Sequence, residues 1–481
     1  MKVSIQFNAR TNRGKIFVSD NDVKERLYFA FSTPNTAKKF VKGPMKHWIQ
    51  DNVYFITPTG TFNFGLAEQI ITWFKANVTD RPIEWEFDDA FKKRFTFEKE
   101  VTFRNNLNFE PREYQEECVK LALKHHFGTF VLGTGAGKTF TIASTIDNLF
   151  SQDRVKRVMI LVPDNNLVLQ FNDELVNQYG LTQSICLFYD KFNTLDKDAQ
   201  VVIANRPLFM ARYEQYKKQW QDGFDCIIVD EAHSLKKDNK VSKCVERMRC
   251  EYRFGFTGTL AENPEDKFKT IGLCGPVRYE KTSKELRDDG FLSDVTIHRI
   301  NLIHTEKPDR NYSYDEEMQW LEENEKRNDI LTKLVCNFDK NTLLLVNHLE
   351  YGHTLLELFT NYTDKKNVFF IRGEIETSDR EEIRKMMEVK DNVICIAVTK
   401  IFSTGINIKN LHNIVLCSGG KSAVTIVQSI GRGLRLHPNK KELNIVDIVD
   451  VGCKYAMRHA EARGIIYKRE RIRTKEATIE V

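Results

Sequence analysis

Residues 131–139 read VLGTGAGKT, an apolar run that passes into a glycine-rich bend, and a helical pattern follows them. Glycines let backbone N–H groups converge on phosphate oxygens, and the N-terminus of a following helix adds favourable partial charge. In such a bend Lys138 reaches the β- and γ-phosphates, and the Thr139 hydroxyl is a ligand for Mg²⁺. Leu132 stands where the strict pattern has glycine, so the assignment depends on the rest of the chain.

A second stretch, FEPREYQ at residues 109–115, lies about twenty residues before the bend. The amide of Gln115 can donate to and accept from the edge of an adenine at once. Pro111 is also typical of the first turn of an ordinary helix, and the two interpretations are compatible. The predicted nucleotide contacts in this half of the chain are Arg112, Gln115, Thr134, Gly135, Ala136, Gly137, Lys138 and Thr139.

Two adjacent carboxylates, Asp230 and Glu231, follow the apolar run 226–229 in the sequence VDEAH. The C-terminal end of a buried strand is where α/β sheets bind ligands. We predict that Asp230 holds Mg²⁺ through water and that Glu231 orients and polarises the attacking water, because phosphoryl transfer needs positioning and charge neutralisation. An isolated Asp-Glu pair is usually a solvated turn, but the upstream bend favours a catalytic site. The hydroxyl residues of FTGTL, residues 256–260, could hydrogen-bond this pair.

In the second half of the chain, residues 428–435 read QSIGRGLR. Arg432 and Arg435 are three residues apart and therefore project from one face of a helix. Guanidinium groups at a γ-phosphate stabilise the transition state of phosphoryl transfer and raise its rate by ~10³–10⁵. A basic helix face on phosphate or solvent is the plainer interpretation. Together with the other motifs, the pattern predicts that the catalytic set includes Gln428, Arg432 and Arg435.

Two more stretches follow apolar runs in this half, one at 372–373 and the other, AVTKIFSTGIN, at 397–407. Polar and basic residues at strand ends can bond a phosphate backbone or approach a nucleotide. The predicted nucleotide contacts here are Gly405 and Asn407. The predicted nucleic-acid contacts are Arg372, Gly373, Thr399 and Lys400.

The 481 residues are enough for roughly three domains at ~150 residues each. Residues 1–108 contain short alternating runs and one stretch of helical spacing, which predict a small α+β domain. Its surface could bind duplex DNA or belong to a plain accessory fold. From residue 109 onward, apolar β-rich runs alternate with helical patterns, and the cycle restarts at residue 342, which predicts two parallel sheets covered on both faces. The predicted strands are 129–132, 158–162, 200–203, 226–229 and 252–257 in the first sheet and 342–347, 368–371, 393–398, 413–417 and 443–449 in the second. The predicted domains are 1–108, 109–285 and 286–481, and we expect the charged stretch 305–327 to be a helical insertion or a solvated connector.

The formal net charge of +5 is too small to demonstrate a nucleic-acid partner. Residues 454–476 are more basic, which suits either a phosphate backbone or a solvated terminal helix. The ten cysteines show no C-x-x-C pair and no Cys/His ligand spacing, which argues for a reducing compartment and against structural zinc. No signal peptide and no apolar run near the ~18 residues of a membrane helix is apparent, so we expect a soluble, intracellular protein without a membrane partner.

The order Gln115, Gly-Lys-Thr, Pro163, Asp-Glu-Ala-His, Thr-Gly-Thr, Ser-Thr-Gly-Ile-Asn and Gln-x-x-Gly-Arg-x-x-Arg resembles the motif set of superfamily-2 helicases across residues 109–450. Within that superfamily the sequence is similar to phage fork-remodelling helicases of the UvsW type. The resemblance implies two tandem RecA-like parallel-sheet lobes with a small N-terminal α+β domain. It also implies a monomeric motor in the host cytoplasm that hydrolyses ATP with Mg²⁺ in a cleft between the lobes.

In that family the motor acts on branched or forked DNA, by fork regression and branch migration. The further strand-backbone contacts that the resemblance implies in the first lobe are Pro163, Asn205 and Arg206. Three departures are visible: Leu132-Gly133 in the phosphate bend, Thr257-Gly258-Thr259 in place of Ser-Ala-Thr, and Asn407 where an acidic residue is frequent. None of them removes a catalytic charge.

Other functions remain open at this point. Asp-Glu-Ala-His also occurs in RNA helicases and in ribonucleoprotein remodellers. The motor subunit of a restriction complex is a second alternative, although the chain has no convincing nuclease pattern. A non-catalytic nucleic-acid-binding module is the third, and the complete set of hydrolytic residues argues against it.

Overall fold

The protein is described by a computed structural model that covers residues 1–35, 38, 47, 49–97, 100–261, 263–306, 308–309, 311–363, 367–371, 377–399, 408, 410–417, 440 and 442–481. It divides into two compact units. The first consists of Met1–Gly133 and Gly137–Lys281, and the second of Thr134–Ala136 and Thr282–Val481. Each unit is built on a seven-stranded sheet, and the first also carries a small N-terminal sheet.

The N-terminal sheet has four strands, ordered β5-β2-β1-β6, in which β1 is antiparallel to β2 and parallel to β6. Strands β3 and β4 form a separate antiparallel pair. The helix α1 begins after Asp20, whose carboxylate accepts a hydrogen bond from the Val23 N–H at 3.1 Å. The strands are β1 (Lys2–Asn8), β2 (Arg13–Val18), β3 (Ser32–Pro34), β4 (Asn52–Tyr54), β5 (Thr61–Asn63) and β6 (Glu84–Phe87), and the helices are α1 (Asn21–Ala30), α2 (Ala67–Asn77) and α3 (Asp89–Arg94).

This small sheet shares its apolar core with the first large sheet, because Phe127 and Ile271 pack among the N-terminal side chains. The rings of Phe64 and Phe127 lie 5.5 Å apart. At Gly65 the two parts approach so closely that a Cβ would lie 2.2 Å from the Ile271 carbonyl oxygen. The N-terminal part is therefore packed firmly on the first lobe.

The first large sheet is parallel throughout, in the order β13-β7-β12-β11-β8-β10-β9. The five predicted strands occupy its centre, and the structure adds β9 and β13 at the two edges. The strands are β7 (Phe127–Leu132), β8 (Val158–Val162), β9 (Ile185–Phe188), β10 (Val201–Asn205), β11 (Cys226–Asp230), β12 (Tyr252–Thr257) and β13 (Val277–Lys281). The helices are α4 (Glu113–His125), α5 (Lys138–Ser151), α6 (Asn165–Asp173), α7 (Arg206–Ala211), α8 (Lys217–Asp222), α9 (Lys240–Glu246) and α10 (Pro264–Cys274).

The second large sheet is also parallel throughout, in the order β16-β17-β15-β18-β19-β14-β20. Five of its strands were predicted, and β14 and β20 were not. The strands are β14 (Asp294–Ile303), β15 (Thr342–Val346), β16 (Asn367–Ile371), β17 (Val393–Val398), β18 (Asn413–Leu416), β19 (Glu442–Val451) and β20 (Arg473–Glu480). The helices are α11 (Ser283–Asp288), α12 (Tyr314–Glu323), α13 (Glu325–Cys336), α14 (Leu349–Tyr362), α15 (Thr377–Val389) and α16 (Lys454–Arg469). The two sheets confirm the predicted pair of tandem RecA-like lobes.

The charged stretch at 305–327 contains helix α12 and the start of α13, and two of its charges are buried. Glu317 accepts hydrogen bonds from the backbone N–H groups of Tyr455 and Ala456 at 2.8 and 2.9 Å, which caps the start of α16. Arg327 is 1% exposed and pairs with Asp450, with Nε 2.8 Å from Oδ1. From Tyr314 onward this stretch is therefore helical and packed on the second lobe, as the first of the two expectations has it.

The basic C-terminal stretch is part of the second lobe. Helix α16 covers 454–469, and β20 pairs with β14. Arg463 is buried, and its Nη2 lies 2.7 Å from Asp447 Oδ1, so this arginine neutralises an internal carboxylate. Within the described ranges no helix is both long and apolar enough to span a lipid bilayer.

Candidate functional site

The glycine-rich bend lies between β7 and α5, as the sequence predicts. Gly135 and Gly137 adopt φ values of 86° and 76°, a left-handed conformation that L side chains rarely adopt. Leu132 is the last residue of β7 and is fully buried, so the position that departs from the strict pattern belongs to the strand. Gly137 caps α5 without a side chain, which leaves the first N–H groups of the helix directed at the bend.

Gln115 lies against this bend. A Cβ at Gly137 would be 2.6 Å from Gln115 Nε2. The Gln115 Oε1 accepts a hydrogen bond from the Arg112 backbone N–H at 2.9 Å, which closes a capping box at the start of α4. Arg112 in turn donates to the Tyr114 hydroxyl at 2.9 Å. These contacts fix Gln115 beside the phosphate bend, and its contact with adenine stays a prediction.

The two carboxylates of VDEAH stand at the end of β11. Asp230 is the last residue of the strand, and Glu231 has φ 49° and ψ 53°, a left-handed conformation that is uncommon for a residue with a side chain. This turn brings Glu231 Oε1 to 3.4 Å from the Nζ atom of Lys138, which is the first residue of α5. A Cβ at Gly258 would lie 3.6 Å from the same Nζ. Lys138, the carboxylate pair and the loop after β12 therefore meet at the carboxyl ends of the strands.

The surroundings shift the pKa values of the two carboxylates in opposite directions. Burial raises the pKa of Asp230, and the neighbouring charge of Glu231 raises it further. Burial also opposes the charge on Glu231, but the Lys138 ammonium and the His233 ring outweigh it and hold the pKa of Glu231 below its usual value. Lys138 itself keeps a raised pKa despite its burial, because Glu231 and Asp230 favour its charged form.

This donor set fits Mg²⁺. The ion prefers hard oxygen ligands and usually keeps several waters, so one or two carboxylate or hydroxyl groups suffice. Asp230 is a buried carboxylate whose negative charge is disfavoured by its surroundings, and a divalent cation would compensate it. The Thr139 hydroxyl belongs to the first turn of α5.

A chain of polar contacts connects Glu231 to the loop after β12. His233 Nδ1 lies 3.2 Å from Glu231 Oε2 and 2.9 Å from Thr257 Oγ1. The Thr257 hydroxyl donates its proton to the Thr259 carbonyl oxygen at 2.7 Å. The hydroxyl must therefore accept from His233, which places a hydrogen on His233 Nδ1. The expected bond between the hydroxyl residues and the Asp-Glu pair thus runs through His233.

Asn205 and Arg206, for which the family resemblance implies nucleic-acid contacts, are buried inside the first lobe. The Asn205 Oδ1 accepts from the Leu208 N–H at 2.8 Å and caps α7, while its Nδ2 donates to Asn165 Oδ1. The Arg206 guanidinium donates to the carbonyl oxygens of Asp230 and Glu231. Sequence reasoning missed this internal role of Arg206, since no local pattern relates α7 to the end of β11.

The remaining predicted contacts divide into two groups. Pro163 is half-buried directly after β8. Thr399 follows β17, and its hydroxyl donates to the Val346 carbonyl oxygen at 2.9 Å at the end of β15. The predicted residues that lie outside the described part of the chain are Arg372, Gly373, Lys400, Gly405, Asn407, Gln428, Arg432 and Arg435.

Two protein-family profiles match the chain. That of the type III restriction enzyme res subunit matches residues 108–262. That of the helicase conserved C-terminal domain matches residues 326–437. The first match contains the phosphate bend and the carboxylate pair, and the second begins at α13.

Individual proteins resemble the same region. The ATP-dependent DNA helicase uvsW of Enterobacteria phage T4 is 28% identical over 362 residues, which cover 72% of this chain and 70% of that protein. The putative ATP-dependent helicase IRC3 of Saccharomyces cerevisiae is 23% identical over 70% of this chain and 51% of its own length, so this chain spans about half of the yeast relative. A solved fragment of a putative HsdR subunit of a type I restriction enzyme from Vibrio vulnificus YJ016 has a TM-score of 0.58 at 18% identity, over 78% of this chain and 70% of that one. That structure shares the fold.

Proposed function

Since the chain belongs to the superfamily-2 helicases as an ATP-hydrolysing member, we propose that it translocates on DNA and remodels branched or forked duplexes by fork regression and branch migration. The observation that carries the proposal is the meeting of Lys138 with Glu231 beside the phosphate bend, with Glu231 in contact with His233. A structural ion pair would not need a glycine bend with two left-handed residues next to it.

In the proposed reaction the N–H groups at the start of α5 and the Lys138 ammonium bind the terminal phosphates. Glu231 accepts a hydrogen bond from the attacking water and aligns it, and His233 holds one oxygen of this carboxylate in place. Phosphoryl transfer is catalysed chiefly by positioning and electrostatics. In the proposed site these groups are the contribution of the first lobe to both. Arg432, Arg435 and Gln428 are proposed, on the resemblance, to complete the site.

Asp230 and Thr139 would hold Mg²⁺ here. When bound, the ion neutralises phosphate charge and supports the leaving group. Lys138 Nζ lies 3.4 Å from Glu231 Oε1, so the Glu231 carboxylate faces the Lys138 ammonium. The adenine would be bound by Gln115 together with Arg112.

DNA as the substrate is supported by the phage relative, whose name describes a DNA helicase. We propose that the DNA binds in a groove on the first unit. The groove has a volume of about 540 Å³ and lies where the N-terminal sheet meets the first lobe, lined by seven Lys or Arg residues and two acidic ones. Tyr54 contributes an exposed ring to it. Cations bind the phosphate backbone and aromatic rings stack on bases, so the groove suits a nucleic acid.

Two cations in this groove stand out. Among the described residues, Arg10 and Lys243 form no ion pair, whereas Arg13 and Lys269 both pair with Glu246. Free cations can exchange their counterions for phosphates. We therefore assign the duplex contact of the N-terminal domain to this groove.

The motor subunit of a restriction complex is the second candidate, favoured by the family profile that matches residues 108–262. It differs in its requirement for a partner, because a nuclease would have to be supplied by another chain. The monomeric motor that we propose acts on a branched substrate alone.

The test is ATPase activity measured with forked DNA, four-way junctions, linear duplex, single-stranded DNA and single-stranded RNA at the same ionic strength. The expected result is the strongest stimulation by forks and junctions. Stimulation by RNA alone would favour an RNA helicase, and equal stimulation by linear and forked duplex would contradict fork remodelling. Product analysis on the forks then separates regression from simple unwinding.

A further inference from the structure

Arg206 is the first residue of α7, directly after β10, and only 8% of it is exposed. Its guanidinium reaches the carboxyl end of β11, which is separated from β10 by β8 in the sheet. Nη2 donates to the Asp230 carbonyl oxygen and, at 3.1 Å, to the Glu231 carbonyl oxygen. The side chain thus binds the backbone of the two carboxylate residues rather than their side chains.

A buried arginine is normally paired with a carboxylate, because an isolated charge is costly to remove from water. Among the described residues no carboxylate lies within ion-pair distance of Arg206, and its Nε is buried without a hydrogen-bond partner. The negative charges that favour its ionised form are Asp230, Glu231 and Asp164. The catalytic carboxylate pair is therefore the main compensating charge for this cation.

The turn that Arg206 binds is strained. Glu231 has a positive φ of 49°, and a residue with a side chain keeps such a conformation only when its surroundings hold it. The Glu231 carbonyl oxygen accepts from the Ser234 hydroxyl at 2.8 Å and the Ser234 N–H at 3.1 Å, as well as from Arg206. Arg206 Nη2 also donates to the Asp230 carbonyl oxygen, so one donor atom binds the backbone of both carboxylate residues.

We propose that Arg206 is a positioning residue for ATP hydrolysis, which holds the Asp230–Glu231 turn so that the Glu231 carboxylate stays in place between Lys138 and His233. The inference rests on the proposed function of that site. It replaces the nucleic-acid contact that the family resemblance implies for Arg206, since a buried guanidinium that donates to two carbonyl oxygens cannot also bind a phosphate in solvent.

The two roles predict different kinetics. A positioning residue affects the chemical step whether or not DNA is present, and it leaves DNA affinity unchanged. A nucleic-acid contact affects the affinity for DNA and the DNA-stimulated rate, and it leaves the basal rate unchanged. Because supporting groups of this kind typically contribute about 10–100-fold, the difference is large enough to measure.

The experiment compares Arg206→Gln, Arg206→Lys and the control Arg212→Gln, an exposed arginine just after the same helix. The full chain is assayed for ATP hydrolysis with and without forked DNA, for fork binding without nucleotide, and for thermal unfolding. R206Q is expected to lower kcat about tenfold or more in both ATPase assays, with KM for ATP and Kd for the fork within about twofold of wild type. R206K, which keeps the charge but not the planar fork, should recover part of kcat.

A wild-type basal kcat in R206Q, or a weakened Kd for the fork with an unchanged basal rate, would overturn the inference. If R206Q does not fold, R206K carries the test, and a wild-type kcat in R206K would then overturn it. Glu231→Gln separates this inference from the proposed function. If E231Q is inactive while folded R206Q is fully active, only the role of Arg206 fails. If E231Q hydrolyses ATP at the wild-type rate, the assigned site itself is wrong.

Discussion

Lys138 Nζ lies 3.4 Å from Glu231 Oε1, so the first residue of α5 meets the residue that follows β11. The two belong to separate motifs, and the parallel order of the sheet brings them together because the carboxyl ends of β7 and β11 share one edge. The contact favours the charged lysine and the ionised glutamate, which is the state that the proposed hydrolysis requires of them.

Replacement of Lys138 by alanine should abolish ATP hydrolysis and leave the fold intact, since in the proposed site the ammonium binds the phosphates. Steady-state ATPase rates with saturating forked DNA measure the effect. Lys120→Ala, at a half-buried lysine of α4 that pairs with Glu116, is the matched control and should keep the wild-type rate. Hydrolysis by K138A at the wild-type rate would show that the phosphate site lies elsewhere.

Glu231→Gln should retain ATP binding and lose about 10²-fold or more in turnover, because the amide cannot polarise the attacking water although it fills the same space. Binding of a fluorescent ATP analogue and single-turnover hydrolysis report the two steps separately. An unchanged turnover number, or a loss of binding that accounts for the whole defect, would refute the assigned role.

The double variant Arg10→Gln/Lys243→Gln should weaken binding to forked DNA and reduce the slope of log K against log salt by about 2, one for each phosphate that is no longer neutralised. Both side chains line the groove between the N-terminal sheet and the first lobe. Fluorescence anisotropy at several salt concentrations measures the slope. Lys191→Gln/Arg212→Gln removes the same charge from exposed positions outside the groove and should leave the slope unchanged, so equal effects of the two double variants would argue against the groove.

Arg327→Met should lower the free energy of unfolding by about 3–5 kcal/mol, because Asp450 would lose its arginine partner in a buried position. Chemical denaturation followed by fluorescence is the measurement. The double variant Arg327→Met/Asp450→Asn removes both charges and should recover part of the stability. If R327M alone is as stable as wild type, the buried pair contributes nothing to the second lobe.

His125 makes stability depend on pH. Burial lowers its pKa to about 4 in the folded chain, and the charges of Arg278, Lys124 and His126 act in the same direction. In the unfolded chain its pKa is about 6.5. The folded state therefore binds fewer protons between these values, so the contribution of His125 to stability is complete above pH 6.5 and is lost as the pH falls towards 4.

The free energy of unfolding of wild type relative to His125→Gln should accordingly decrease from pH 7 to pH 5. Urea unfolding of both proteins at the two pH values measures this difference. A difference that stays constant or grows as the pH falls would contradict the lowered pKa of His125.

The central strands of both lobes were predictable because they are apolar on both faces. β8, β12 and β17 have the predicted bounds. Three of the four strands that the sequence did not reveal carry polar side chains: β13 and β20 lie at sheet edges, and β14 contains charged residues whose partners are distant in the sequence, such as Arg299 beside Asp447 at 3.6 Å. The fourth, β9, is an apolar run of only four residues at the other edge of the first large sheet. Edge strands are covered on fewer sides and so lack the continuous apolar signal.

The same distinction applies to the site. The amino-acid sequence alone determined the glycine bend, the lysine at the start of α5 and the carboxylate pair after β11, because these features depend on local backbone geometry and on short apolar runs. Only the tertiary structure decided that His233 links Glu231 to Thr257, and that Arg206 supports the turn from below. The contacts of His233 with Thr257 and of Arg206 with the Asp230–Glu231 turn join residues at the ends of different strands, and these partners are selected by the order of the strands in the sheet, which no local pattern encodes.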